Sequence, residues 1–172
     1  MDLLYDFAAW AWERHHNPLS WYVRPLFVLP FCYFAYKKSV WGMALTVVAV
    51  VSSMFWFPAP EGGDPRVAEF LAMERAYVGG AWTAGKIALT ALVPVWFSLL
   101  AWAFWRRSWL AGFAMLNVGI ALKVIWSFYY GGDSAWSIVP PVTVGFVVCN
   151  GLLLIVWHTR RRRMAPLRAR LP

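Results

Sequence analysis

Ser137 to Trp157, S-I-V-P-P-V-T-V-G-F-V-V-C-N-G-L-L-L-I-V-W, holds no ionisable side chain, and Arg160-Arg161-Arg162-Arg163 stands just behind it. At about 1.5 Å per residue these twenty-one residues cover a hydrocarbon layer of roughly 30 Å. The stretch reads as a membrane-spanning helix. Four consecutive arginines are costly to carry through a bilayer, so they mark its cytoplasmic end.

The whole composition agrees with that reading. The chain has 172 residues, of which 61% are hydrophobic and 14% charged, too little polar surface to coat a soluble globule. Its length suits a single membrane domain. The net charge of +8 would suggest a nucleic-acid partner in a soluble protein; here it sets orientation, and no nucleic acid is expected. Asp2 and Asp6 occupy the place where a signal peptide carries positive charge, so no cleavable leader is expected. Cys32 and Cys149 both lie in apolar runs without metal-ligand spacing and read as packing residues.

Working outward, four further spans are expected, at about 20–36, 40–57, 84–105 and 109–130, with the fifth at 137–157. Residues 2–14 carry Asp2, Asp6 and Glu13 along one edge and Leu3, Phe7 and Trp10 opposite or beside it, an interfacial amphipathic helix ended by Asn17-Pro18. Asp64-Pro65 opens a second amphipathic helix over 65–78, closed by Gly79-Gly80. A basic cytoplasmic tail occupies 158–172. The expected fold is thus an all-α integral membrane protein, a bundle of five transmembrane helices with an N-terminal interfacial helix and an outer-face amphipathic helix.

The charges are consistent with this threading. Lys37, Lys38, Arg106, Arg107, Arg160 to Arg163, Arg168 and Arg170 all fall on one side, and all eight acidic residues fall on the other. By the positive-inside rule the N-terminus lies outside and the C-terminus in the cytoplasm of a multi-pass cell-membrane protein. Trp21, Trp56, Trp82 and Trp136 flank spans at the outer face, and Trp41, Trp105, Trp109 and Trp157 at the inner one, as aromatic belts do. The tryptophan content and the count of five helices resemble the tryptophan-rich sensory (translocator) proteins; the likeness rests on no shared motif and assigns no residue a role.

The chemistry-bearing candidates gather near the outer face. Lys123, seven residues before Tyr130, lies roughly 10 Å below the outer end of the fourth span, where an unpaired cation is expensive. Its helix face carries Gly112, Leu116, Gly119, Trp126, Ser127 and Tyr130, small residues that admit a neighbouring helix. Glu74 sits among Val67, Phe70, Leu71, Tyr77 and Val78 on the apolar face of its helix, and Arg24, Lys86, Lys123, His15 or His16 are its expected partners. Asp133 occupies an outer turn. His15 and His16 are weak candidates for a metal, because adjacent helical residues point about 100° apart. Asn117 and Asn150 are expected to bond across two helices.

Three functions fit these residues. The first is binding or transport of an anionic small molecule or lipid headgroup by Lys123, Glu74, Arg24, Lys86, Asp133 and Tyr130. The second is an outer-leaflet enzyme with His15 or His16 and Glu74 as acid and base. The third is a structural subunit among other membrane chains or in a homo-oligomer. No cofactor is indicated, since no P-loop, G-x-S-x-G, H-E-x-x-H or dinucleotide fingerprint occurs. A tag on the N-terminus should be accessible on the face opposite the C-terminus; a tag on the cytoplasmic face would mean that the first span does not cross.

Overall fold

The computed structural model describes the backbone of residues 2–168 and the side chains of 3–162. Arg170 of the basic tail, and the side chains of Arg163 and Arg168, lie outside the described residues. Every regular element among the described residues is helical: α1 (Asp2–His15), α2 (Pro18–Leu26), α3 (Val28–Tyr36), α4 (Val40–Ser52), α5 (Pro65–Gly79), α6 (Ala84–Trp105), α7 (Trp109–Gly131) and α8 (Val139–Arg168), with 3-10 segments at Ser53–Phe55 and Gly132–Ile138.

Two helical runs are long and apolar enough to cross a membrane, Ala84–Trp105 and Trp109–Arg162. The second is folded on itself. Asn117 Nδ2 donates to Asn150 Oδ1 at 3.0 Å although the residues are 33 apart in the chain, a separation of about 50 Å along a straight helix. The reversal occurs at Gly132, whose φ of 50° and ψ of −127° suit glycine alone. The Asn117–Asn150 bond expected from sequence is therefore present, and it is returned by Asn150 Nδ2 to Asn117 Oδ1 at 3.3 Å.

The expected spans at 20–36 and 40–57 do not form single helices of that length. Residues 20–36 form two helices, α2 and α3, joined at Phe27. Pro25 has no N–H to continue the ladder, and Phe27 N–H bonds back to Arg24 and Pro25 carbonyls before α3 restarts. The stretch 40–57 is α-helical only to Ser52, because the Ser52 and Ser53 hydroxyls bond Ala49 O and Val50 O and the last turn tightens into a 3-10 segment. The last helix does not stop at Trp157 but runs on to Arg168.

Packing brings these rods together side by side. α6 lies against α7, α3 against α4 and α6, and α2 against α8. Rings fill the places of missing side chains: a β-carbon on Gly119 would collide with the Trp96 indole, and one on Gly112 with Phe104. Trp96 Nε1 donates to Met115 O at 2.6 Å, fixing that ring on α7. Pro25 rests on Gly145, and Cys149 Sγ donates to Pro25 O at 3.4 Å, so the break between α2 and α3 is seated on α8. Cys32 and Cys149 are buried in the core with Phe31, Leu100, Phe104, Leu116 and Leu153. A second core at the opposite end joins Trp21, Val67, Phe70, Leu71, Ala135 and Ile138.

The outside is apolar. Trp41, Leu110, Ile125, Ile155 and much of α6 are exposed, and the accessible surface is 11533 Å², against roughly 8,600 Å² for a soluble monomer of this mass. A face of that kind calls for a covering phase. Lys37, Lys38, Arg106, Arg107 and Arg160 to Arg162 lie at one end of the rods, and α1, α5 and the 3-10 segment Gly132–Ile138 at the other; these are the basic and acidic ends below. Gly119→Val should destabilise the protein by about 1–3 kcal/mol, the cost of forcing atoms into a filled core, and a thermal melt in detergent would show it as a lowered midpoint.

Candidate functional site at the acidic end

α5 begins where Asp64 Oδ1 accepts from Arg66 N–H at 2.8 Å and Pro65 takes the first helical position. Its buried residues are Val67, Phe70 and Leu71. They dock on the 3-10 segment Gly132–Ile138 and on Trp21, whose ring lies 5.7 Å from that of Phe70. Glu74 follows Phe70 by one turn and so falls at the edge of that face. Val78, expected on the same face, is exposed instead, while its neighbour Tyr77 turns onto Trp126 and Tyr130 of α7.

Lys123 Nζ donates to Glu74 Oε1 at 3.1 Å; the lysine side chain is 47% exposed and the glutamate 26%. This is the one ion pair among the described residues. The ammonium also lies 4.7 Å from the Trp126 ring centroid and 5.5 Å from that of Phe70, both within cation–π range. One turn further along α7, the Ser127 hydroxyl is buried and has no hydrogen-bond partner.

A second charged pair adjoins the first. Arg24 donates an N–H to His15 Nδ1 at 2.8 Å, which leaves the imidazole proton on Nε2. Glu74 is near enough to act electrostatically on Arg24, and Lys123 on His15. His15 is buried between Trp12 and Trp21. Burial first, and then the Arg24 guanidinium, push its pKa down to about 3. His15 is therefore neutral at any physiological pH. The corner that holds it is tied down by Trp21 Nε1 to His15 O at 3.2 Å, Asn17 Nδ2 to Pro58 O at 2.9 Å and Arg14 to Phe57 O at 3.3 Å.

The remaining candidates stand apart. Lys86 donates to Gly80 O at 3.0 Å and covers Tyr77 and Trp82; Tyr77 in turn packs edge-on against Trp126 and Tyr130. Lys86 is thus linked to Lys123 only through rings. Asp133 is exposed on the 3-10 segment and makes no ion pair among the described residues. His16 Nδ1 meets the Trp12 carbonyl at 2.8 Å, and among the described residues no three His, Cys, Asp or Glu side chains gather as a metal site. The pairing of Glu74 with Lys123 was among the options legible in the sequence; the pairing of Arg24 with His15 was not. The signal for it was present in the short Asn17-Pro18 corner, which leaves His15 at the end of α1 only nine residues from Arg24 of α2.

Comparison with known proteins adds no further constraint: no family model, no curated protein and no solved structure matches this chain.

An unfolded histidine takes a proton near pH 6.5, whereas folded His15 resists until about pH 3. Between these values the unfolded chain binds one proton more, so stability is full above pH 6.5 and declines as the pH falls through this window. Melts at pH 7.5 and 5 should show the decline, and His15→Gln, which keeps an acceptor for Arg24 and does not titrate, should reduce it. Equal declines in both proteins would contradict the assignment.

Proposed function

We propose that this chain is a small multi-pass membrane protein that binds or transports an anionic small molecule or lipid headgroup at its acidic end. The observation that carries the reading is the charge balance of the half-buried cluster. Lys123 and Glu74 cancel, while Arg24 has as its only hydrogen-bond partner among the described residues a neutral imidazole. One positive charge is left over in a place where water is scarce, and an anion is its natural complement. The unpartnered Ser127 hydroxyl, on the same face of α7 as Lys123, adds a donor close by.

The five-crossing topology belongs to the same proposal. In its favour stand the run Ala84–Trp105, the folded-back run Trp109–Arg162 that would supply two crossings, the end-to-end pair α2–α3, and the shorter apolar run Val40–Phe55, which would supply the fifth. The 19 residues of 18–36 reach about 28 Å. The segregation of Lys37, Lys38, Arg106, Arg107 and the α8 arginines from every acidic residue argues for N-terminus out and C-terminus in.

Native mass spectrometry of the gently solubilised protein tests the binding reading. Wild type should carry a discrete added mass of an anionic compound, and Arg24→Met and Lys123→Met should lose it with melting midpoints within a few degrees of wild type. Bare protein in all three samples, or additional protein chains instead of a small mass, would favour a subunit of a larger membrane assembly.

A further inference from the structure

The basic end holds a second charged arrangement, built around Tyr36 at the end of α3. Arg160 of α8 donates an N–H to the Tyr36 hydroxyl, and its guanidinium carbon is 4.6 Å from the ring centroid. Arg107, from the turn between α6 and α7, places its guanidinium carbon 5.1 Å from the same centroid. Trp109 flanks the tyrosine at 5.9 Å. Two guanidiniums are therefore drawn to one neutral ring, and no carboxylate balances them: no Asp or Glu occurs between Glu13 and Glu61, between Glu74 and Asp133, or after Asp133 up to Pro172.

The backbone here is strained in favour of charge. Lys38 and Arg107 have φ of 58° and 57°. Both occupy the left-handed position just past a helix end, where the following serine N–H reaches back five residues, Ser39 to Phe34 O and Ser108 to Ala103 O. Glycine fills that position most comfortably. Lys-Lys-Ser and Arg-Arg-Ser repeat the same choice at both turns, so a cation is kept at each where glycine would relax the turn. Of the two, Arg107 is the one whose side chain stacks on Tyr36, which makes its retained strain a reason to look for a use there.

We infer that Arg107 and Arg160 hold the phosphate of an anionic membrane lipid, with Tyr36 as the positioning residue between them. The planar guanidinium fork matches phosphate oxygens in a way that an ammonium does not. A lipid is favoured over a free phosphate because the exposed apolar side chains Trp102 and Leu110 stand within about one turn of Arg107 on the outer surface of α6 and α7. The first carbons of an acyl chain have an apolar surface there. The inference rests on the chain being a membrane protein with its basic end at headgroup level, and it concerns the opposite end from the Arg24–Lys123 cluster.

The test uses the full chain in nanodiscs of phosphatidylcholine with or without phosphatidylglycerol, with bound lipid counted by native mass spectrometry. Wild type should retain phosphatidylglycerol over phosphatidylcholine, and R160Q should lose roughly tenfold of that preference, as removal of a charge-assisted contact does. R107G should lose it equally while melting at the same or a higher temperature in neutral detergent, since the turn relaxes. Y36F, which keeps the ring and should fold normally, is expected to weaken the preference by a smaller factor. Equal retention of both lipids by wild type, unchanged preference in R160Q and Y36F, or a fall in the R107G midpoint in neutral detergent would each overturn the assignment. Stabilisation by inorganic phosphate alone equal to that by the lipid would overturn the lipid as occupant. A protein that fails to enter phosphatidylcholine nanodiscs at all would refute the membrane reading itself, a result distinct from equal retention.

Discussion

The arrangement depends on the reversal of the chain at Gly132. α7, the 3-10 segment Gly132–Ile138 and α8 follow one another without an intervening loop, and a straight continuation would give a rod of about 80 Å. A φ of 50° with ψ of −127° at Gly132 turns that rod into a hairpin. No β-carbon would meet an obstacle there, so the requirement is conformational and not steric. The other elements pack on what this turn creates. α5 lies on the 3-10 segment, α2 on α8 and α6 on α7.

The interior is assembled from rings and gaps more than from interlocking aliphatic chains. Trp96 over Gly119, Phe104 over Gly112 and Pro25 over Gly145 bring helix axes close. Polar atoms inside are matched locally, as in the reciprocal amide bonds of Asn117 and Asn150 and the Trp96 bond to Met115 O. In an apolar medium, as the proposed membrane would be, helices gain nothing from hiding hydrocarbon from hydrocarbon, so close approach and hydrogen bonds are what would hold them. The exposed aliphatic surface of α6 and α7 belongs with that mode of packing.

Charge is sorted between the two ends, and each end treats it differently. At the acidic end Glu74 and Lys123 pair, and Arg24 is left against a neutral histidine. At the basic end the guanidiniums of Arg107 and Arg160 share a tyrosine without any acid. Proline at position 25 bears on the acidic end, because the break that seats α2 on α8 lies next to Arg24.

The sequence by itself determined the all-helical class, the order of the apolar stretches and the segregation of charge. Apolar length, proline and glycine punctuation and runs of arginine act locally, so 84–105 and 109–131 were legible nearly to the residue. The amphipathic character of α5 placed Glu74 on the supported face, and Lys123 stood out as a cation within an apolar run. Tertiary structure decided what periodicity does not encode. Whether Glu74 chooses Lys123, Arg24 or Lys86 depends on how far α5 slides along α7, and that is set by Phe70 and Leu71 seating on the 3-10 segment. The burial of His15 and its pairing with Arg24 depend on the Asn17 corner tied to Pro58, 41 residues away. Lys86 and Asp133 remained outside the cluster for the same reason: nearness to one end of a bundle is a matter of helix length, whereas contact is a matter of rotation and packing.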